Sequence, residues 1–275
     1  MKLFLTTKDY AVTGREFQLL HDEKMDMLVT SPQPAAMEEY YDSQNYISHS
    51  NSRRDLSEKL YHFIKRYTLW RKVVLINSFG TENKFLLDVG AGTGDFLSRA
   101  RYGGWKIQGV EPNPMARGKA SERNVKLVED LNACSGRKYN VITLWHVLEH
   151  LPDLDGDLNK LVGLLDKNGV LVIAVPNFKS HDARHYKNYW AGFDVPRHLW
   201  HFSKTSIERL FLKKGMEVIQ IKPMIFDAYY VSLLSEKYKT GNARLLNAFY
   251  RGLRSNLSAW GTKEYSSLLY VLKKA

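Results

Sequence analysis

Cysteine is nearly missing from this chain. Cys134 is the single cysteine among 275 residues. One thiol forms no internal disulfide and cannot supply the several thiolates of a small zinc site. His21, Asp22 and Glu23 follow one another, but a hydrated acidic turn accounts for them without an ion. We therefore predict neither a disulfide framework nor a bound metal.

Long apolar runs are also missing. No stretch reaches the roughly 18 apolar residues that a membrane-spanning helix needs. Lys8 and Asp9 place charge near the N-terminus, before the apolar core of a signal peptide has formed. We expect a cytoplasmic protein.

Acidic residues are in the minority, because 29 Asp and Glu face 40 Lys and Arg, for a net charge of +11. The basic residues are scattered and form no single run, so we do not expect a nucleic-acid partner. One segment, from Lys237 to Arg254, mixes basic and large apolar residues. We favour a helix packed on its own domain there, with peripheral contact to an anionic membrane as the alternative.

Short apolar runs alternate with helical patterns from Lys84 onward. This alternation predicts an α/β fold with a Rossmann-like, seven-stranded, mostly parallel sheet and helices on both faces. The predicted strands are Lys84–Asp88, Lys106–Glu111, Lys126–Val128, Tyr139–Leu144, Val170–Val175, Glu217–Met224 and Ser266–Lys273.

The chain divides by character into two parts. Residues 1–55 predict an N-terminal accessory or lid segment, and residues 56–275 predict the main domain, with a helical insertion at 227–258 before the last strand. The stretch Leu56–Phe79 repeats apolar residues, Val74 among them, at helical spacing. We interpret that stripe as a packing face and not as a cofactor-binding segment.

The segment LLDVGAGTGDFL runs from an apolar strand through Gly90, Gly92 and Gly94 into a helix. Glycines permit a tight turn and leave no side chain between the loop and a bound nucleoside. Asp95 stands where the dinucleotide pattern requires its third glycine, which weakens a nicotinamide interpretation.

Two carboxylate positions follow the next strands. Glu111, followed by Pro112, ends the second strand seventeen residues after Gly94, where a carboxylate can accept the ribose hydroxyls of a nucleoside. Asp130 follows the third strand, where a carboxylate can accept the adenine amino group.

The chain from Phe85 to Phe202 resembles the class I S-adenosylmethionine-dependent methyltransferases, and YNVITLWHVLEHLPD is similar to a motif of their ubiquinone-biosynthesis-like branch. The resemblance implies S-adenosylmethionine as cofactor, with the loop passing its methionine part, Glu111 at the ribose, and Trp145 beside the sulfonium. The implied cofactor-binding residues are Asp88, Gly90, Ala91, Gly92, Gly94, Glu111, Pro112, Asp130, Leu131, Trp145, His146 and Val147.

The segment NYWAGFDVPRHLWHFS resembles the acceptor side of the same family. Its aromatic and polar residues suit a pocket with few polar contacts, and we assign Tyr189, Trp190 and Arg197 to acceptor binding. The alternative is a loop whose aromatics pack on the sheet, with Asp194 and Arg197 as an ordinary ion pair. Tyr46 and His49 are further acceptor-side candidates in a lid.

A neutral imidazole is the usual base for methylation of an oxygen atom. We rank His198 first, His201 second and His150 third, and we expect O-methylation of a small-molecule or carrier-linked acceptor. Nitrogen and carbon acceptors stay open, as does the oligomeric state. The rival functions are a nicotinamide-dependent oxidoreductase and a non-catalytic module that binds a nucleotide or nucleic acid.

Overall fold

The computed structural model describes residues 1–40 and 56–275. The strands are β1 (Lys2–Lys8), β2 (Glu16–Asp22), β3 (Met27–Ser31), β4 (Phe85–Val89), β5 (Lys106–Val110), β6 (Leu127–Val128), β7 (Tyr139–Trp145), β8 (Leu165–Pro176), β9 (Trp200–His201), β10 (Met216–Pro223) and β11 (Ser267–Lys274). The α-helices are α1 (Leu56–Asn77), α2 (Asp95–Tyr102), α3 (Pro114–Ser121), α4 (Leu154–Leu164), α5 (His181–Tyr186), α6 (Lys204–Leu212), α7 (Asp227–Thr240) and α8 (Leu245–Thr262). Among the described residues, no helix has both the length and the apolar character needed to cross a membrane.

Seven strands form the main sheet, in the order β10-β11-β8-β7-β4-β5-β6. Strand β4 pairs in parallel with β5 on one side and with β7 on the other. The predicted Rossmann-like sheet is confirmed. Strand β8 is longer than predicted, because it begins at Leu165 and not at Val170. Within its first residues, the Asn168 N–H donates to the Asp166 side chain.

The sheet order reverses at β4, since the chain moves to one side for β5 and β6 and to the other for β7. In open α/β sheets, ligands bind outside the carboxyl ends of the strands at such a reversal. The carboxyl ends of β4 and β7 are therefore the first place to look for a site.

The described residues form two compact units. One contains residues 1–40, 146–152 and 173–271, and the other contains residues 56–145, 153–172 and 272–275. The predicted division at residue 55 differs from this grouping, because β3 pairs with β9 in a second, four-stranded sheet of order β1-β2-β3-β9. The N-terminal strands thus join the segment around His201, far away in sequence.

The packing stripe predicted in α1 is wrong at Val74, which is 44% exposed. The buried residues near the end of the helix are Leu75 and Ile76, which were not part of that stripe. The helical insertion before the last strand is present and consists of α7 and α8.

Arg197 is the buried cation of the first unit, with 7% of its surface exposed. Its guanidinium donates to the carboxylates of Asp9, at 2.9 Å, and Asp194, at 2.7 Å, and to the backbone carbonyl of Tyr40 at 2.9 Å. These partners engage Nε and both terminal nitrogens of the guanidinium group. Arg197 therefore ties the end of β1 to the loop that precedes β9.

Asp88 is a carboxyl group inside the main sheet, with 3% of its surface exposed. It lies opposite Thr143 in the β4–β7 register, and the Thr143 hydroxyl donates a 2.6 Å hydrogen bond to it. Burial raises the pKa of Asp88 to about 7, and the hydrogen bond and the charge of Lys72 only partly oppose this rise.

We predict that Asp88 makes the fold less stable as the pH rises from 4 to 7. Its folded pKa lies above the unfolded one, so the folded state holds the proton more tightly, and stability falls as the carboxyl ionises. The difference in unfolding free energy between pH 5 and pH 7.5 should shrink by about 2 kcal/mol in Asp88→Asn, which keeps the acceptor for Thr143. Urea titrations at both pH values measure it; an identical pH dependence in both proteins contradicts the prediction.

We predict that Arg197→Gln costs about 3 to 5 kcal/mol of unfolding free energy, because it leaves the buried carboxylate of Asp9 and the half-buried one of Asp194 without their cation. Lys8→Gln is the matched control. It breaks the exposed Lys8–Glu16 pair and should cost less than about 1 kcal/mol. Denaturant unfolding of the two variants tests the difference, and equal losses would show that Arg197 carries no special weight.

Candidate active site

The loop after β4 has a backbone that only glycine adopts easily. Gly90, Gly92 and Gly94 have φ angles of 68°, 54° and 73°. These left-handed angles are strained for residues with a Cβ atom. A Cβ at Gly94 would also lie 3.1 Å from the Ala120 Cβ atom on α3. The loop therefore brings bare backbone to the end of β4.

The carboxylate of Glu111 fastens this loop to the end of β5. It accepts a hydrogen bond from the Gly92 N–H at 2.8 Å and another from the Asn113 N–H at 3.0 Å. The residue is 5% exposed. Because a carboxylate has about four lone-pair sites, two remain for the hydroxyl groups of a ligand.

A cavity of about 380 Å³ opens beside the loop. This volume lies within the roughly 300 to 1,000 Å³ of small-molecule pockets. One wall is α1, another is the loop and the start of α2, and Trp145 at the carboxyl end of β7 closes a third. The lining residues are Ile64, Lys65, Thr68, Leu69, Lys72, Asp88, Gly90, Ala91, Thr93, Asp95, Phe96 and Trp145.

Charged side chains brace two walls of this cavity. Lys65 Nζ lies 3.0 Å from Asp95 Oδ2, and the Thr93 hydroxyl donates to the same carboxylate. Although burial acts in the opposite direction, these hydrogen bonds and the charges nearby lower the pKa of Asp95. Lys72 Nζ lies 4.2 Å from the centre of the Trp145 ring, a cation–π contact.

The contribution of α1 is what the sequence analysis missed. Lys65, Thr68 and Lys72 lie on one face of the helix, but our interpretation followed the apolar stripe and treated the helix as packing alone. The 64, 65, 68, 69, 72 spacing was the available signal, because it places two lysines beside apolar residues on a single helical face.

The predicted adenine-side residues have structural partners of their own. Asp130 is exposed, and its carboxylate accepts from the N–H groups of Asn132 and Ala133, which caps a short 3-10 helix. Leu131 is buried within that turn. Pro112 is exposed, and its carbonyl accepts from Arg117. Their contact with adenine stays a prediction.

His146 follows Trp145 and lies between two carboxylates. Its Nε2 is 3.0 Å from Asp227 Oδ2, and its Nδ1 is 3.4 Å from Glu149 Oε1. Burial works against the charged ring, but the two acids prevail and raise the pKa of His146 to about 10. His146 is therefore an imidazolium at neutral pH and not a base. Val147, next in the chain, is half-buried.

The three histidines named as candidate bases come together in the first unit. The His150 and His198 rings are 4.6 Å apart, and the His198 and His201 rings are 6.3 Å apart. His150 Nδ1 donates to the Arg197 carbonyl and His198 Nδ1 to the Gly192 carbonyl, both at 2.9 Å. A carbonyl only accepts, so each Nδ1 carries the hydrogen.

Their environments differ in how strongly they oppose protonation. Burial and the neighbouring His198 lower the pKa of His150 to about 4. Burial lowers the pKa of His201 well below its ordinary value, and its Nε2 lies 3.0 Å from the Thr30 hydroxyl. His150 and His201 are therefore neutral at pH 7 and too weak to be efficient bases there.

Glu149 stands among these rings and is 1% exposed. Neither carboxylate oxygen makes a hydrogen bond within the described residues. One ligand atom each of Glu149, His150 and His198 lies within 4.8 Å of the others, a grouping that could hold a metal ion. The absence of a metal stays a prediction, and this cluster, not His21, is the place where it is tested.

The acceptor-side residues are placed less favourably than predicted. Trp190 is 2% exposed, packs in the aromatic core of the first unit, and donates from Nε1 to Asp182. Arg197 is engaged by its ion pairs. The packing alternative, not acceptor binding, describes both residues in this structure. Tyr189 is half-buried with its ring 5.5 Å from that of Tyr10. Tyr46 and His49 lie outside the described residues.

Comparison with known proteins supports a single family. The profile of a family described as a methyltransferase domain matches residues 59–221, more than half of the chain. Ubiquinone biosynthesis O-methyltransferase of Actinobacillus pleuropneumoniae serotype 5b (strain L20) is 30% identical over 112 residues, which are 36% of this chain and 48% of that protein. The chain spans about half the length of the curated relatives it matches.

Solved structures show the same fold at low identity. Magnesium protoporphyrin IX methyltransferase from Synechocystis PCC 6803, with bound SAH, has a TM-score of 0.57 at 14% identity, over 86% of this chain and 97% of that one. The cyclopropane synthase MmaA2 from Mycobacterium tuberculosis has a TM-score of 0.51 at 12% identity, over 74% of this chain and 83% of that one. The oxidoreductase and the non-catalytic module gain no support. By its family match and its fold, the chain belongs to the class I S-adenosylmethionine-dependent methyltransferases.

Proposed function

We propose that this chain transfers a methyl group from S-adenosylmethionine to an oxygen atom of a small-molecule or carrier-linked acceptor. The observation that carries the proposal is the cavity of about 380 Å³ at the carboxyl ends of β4 and β7, bounded by the glycine loop and Trp145. The O-methyltransferase relative supports oxygen as the acceptor atom.

The residues around the cavity fit this cofactor. The loop lines the cavity with small residues, Gly90 and Ala91 among them. Glu111 is outside the lining set, but it holds the Gly92 N–H of the same loop and keeps lone pairs for ribose hydroxyls. The half-buried Trp145 offers an aromatic ring, whose faces attract cations and one of which already carries Lys72 Nζ. Asp88 places a buried carboxyl group at the cavity wall.

When bound, S-adenosylmethionine supplies a methyl group on a positively charged sulfur atom. The protein's part is to align the acceptor in line with that methyl group and to exclude water. An acceptor hydroxyl must also lose its proton, and His198 is our candidate for receiving it. Its Nδ1–H is fixed by the Gly192 carbonyl, which leaves Nε2 to accept.

Transfer of a labelled methyl group tests the function itself. The protein is incubated with S-adenosylmethionine labelled in the methyl group and with a cell metabolite extract, and labelled products are separated and their bonding determined. We expect label on oxygen. Label on nitrogen or carbon contradicts the proposed acceptor atom, and no transfer to any extract component contradicts the proposed activity.

We predict that Glu111→Ala weakens S-adenosylhomocysteine binding by about tenfold or more, because lost hydrogen bonds to a carboxylate are worth about 1.5 to 3 kcal/mol. Isothermal titration measures the dissociation constant. Glu129→Ala is the control: its side chain is 74% exposed and forms a long contact with Arg117, so its affinity should stay within about twofold. An unchanged affinity in a folded Glu111→Ala protein removes the assignment.

We predict that His198→Asn lowers turnover by roughly 10² to 10⁴ and leaves cofactor affinity nearly unchanged. The asparagine amide can still donate to the Gly192 carbonyl but cannot take a proton. His185→Asn is the control, because His185 lies outside the cluster of candidate bases. Full activity of His198→Asn on the labelled acceptor would leave alignment alone as the mechanism.

A further inference from the structure

Helix α8 turns its large apolar side chains outward. Leu246 is 88% exposed, Trp260 67% and Phe249 60%. In contrast, its buried residues are small or polar: Ala248, Gly252, Ser255, Asn256 and Ala259. A helix of a soluble domain normally buries its apolar stripe, and a large exposed apolar surface marks an interaction site. We name this surface the apolar face of α8: Leu245, Leu246, Phe249, Leu253, Leu257 and Trp260.

The orientation of α8 is fixed by close packing on α7. A Cβ atom at Gly252 would lie 3.0 Å from the Tyr229 backbone nitrogen and 2.9 Å from its Cα atom. Only the small-residue side of α8 fits so close to another helix. Rotating the helix to bury Leu246 would push a large side chain into α7, so the apolar face stays outward.

The sequence segment that carries this face has basic residues and no acidic ones. Between Glu236 and Glu264 the sequence contains no acidic residue and six basic ones: Lys237, Lys239, Arg244, Arg251, Arg254 and Lys263. None of the six forms an ion pair with a carboxylate in the part of the chain that the structure describes. Their field reaches α5, because after burial itself the charge of Arg254 lowers the pKa of His181, and that of Arg251 lowers the pKa of His185.

We propose that the apolar face of α8 docks this protein on a membrane surface that carries anionic lipid headgroups. Leucine, phenylalanine and tryptophan on one face, with arginine and lysine around it, are the features of helices that lie in the interface plane. The apolar residues enter the headgroup boundary, and the cations meet the negative surface charge. The acceptor would then be reached by a protein held at that surface.

A second copy of the chain fits this face less well. Most soluble homodimers are two-fold symmetric, so each surface would meet itself. Basic residues that flank this face in one copy would then lie near the same residues of the other copy, and like charges at a contact cost free energy. An anionic lipid surface offers apolar contact and opposite charge together.

Co-sedimentation with vesicles tests the proposal. The full chain is mixed with vesicles of phosphatidylcholine alone or of phosphatidylcholine with phosphatidylglycerol. We expect binding to the anionic vesicles that weakens as salt rises. The double variant Leu246→Ser/Trp260→Ser should bind at least about tenfold more weakly. Arg251→Gln/Arg254→Gln should lose most of the preference for anionic lipid.

Leu212→Ser is the matched control, because Leu212 is 67% exposed but lies on α6. It should bind vesicles like the unaltered chain. Thermal unfolding establishes that each variant is folded. The proposal is overturned if the chain stays in the supernatant at every lipid concentration, if Leu246→Ser/Trp260→Ser binds as before, or if sedimentation without lipid shows a dimer that this variant abolishes.

Discussion

The hydrogen bond from the Gly92 N–H to the Glu111 carboxylate, at 2.8 Å, joins the two strand ends on which the proposed cofactor site depends. The three left-handed residues of the loop are glycines, whose backbone freedom must be restrained by support from outside the loop if the loop is to keep one conformation. Glu111 supplies it while remaining able to accept from a ligand. The same contact explains why the carboxylate follows β5, since β5 is the parallel neighbour of β4 and ends at the same edge.

The sequence allowed these local features to be predicted because each depends on few residues. Three glycines after an apolar strand specify the loop, and an acidic residue at the next strand end specifies its partner. The wall formed by α1 was missed because the sequence indicates the faces of a helix only through periodicity. Lys65 and Lys72 are typical of solvent-exposed charged residues, and only the neighbouring elements show that they line a cavity. The β3–β9 pairing was missed because two residues carry no recognisable strand pattern, and their partner is more than 170 positions away.

The histidines show a second limit on sequence interpretation. His146 and His150 are four residues apart, and both were named from one motif. The pKa of the first rises to about 10 because two carboxylates flank it, while the pKa of the second falls to about 4 because it is buried beside other imidazoles. A motif gives the identity of a side chain, whereas its protonation depends on residues as distant as Asp227. The acceptor-side segment illustrates the same point. Trp190 and Arg197 are residue types that often line pockets, but here they lie in the packed interior.

The apolar face of α8 is the opposite of the usual arrangement, in which a helix buries its large apolar residues. Helix α8 packs tightly on α7 through small residues, although Phe249 also stacks on Tyr229 with 5.3 Å between the ring centres. Leu246 and Trp260 keep most of their apolar surface in water, which costs free energy. A net charge of +11 does not by itself identify a partner. A segment with six basic and no acidic residues beside one exposed apolar helix face is a local pattern, and an anionic surface that also offers apolar contact complements it. The composition of the whole chain does not indicate this pattern, because it depends on which side of one helix faces the solvent.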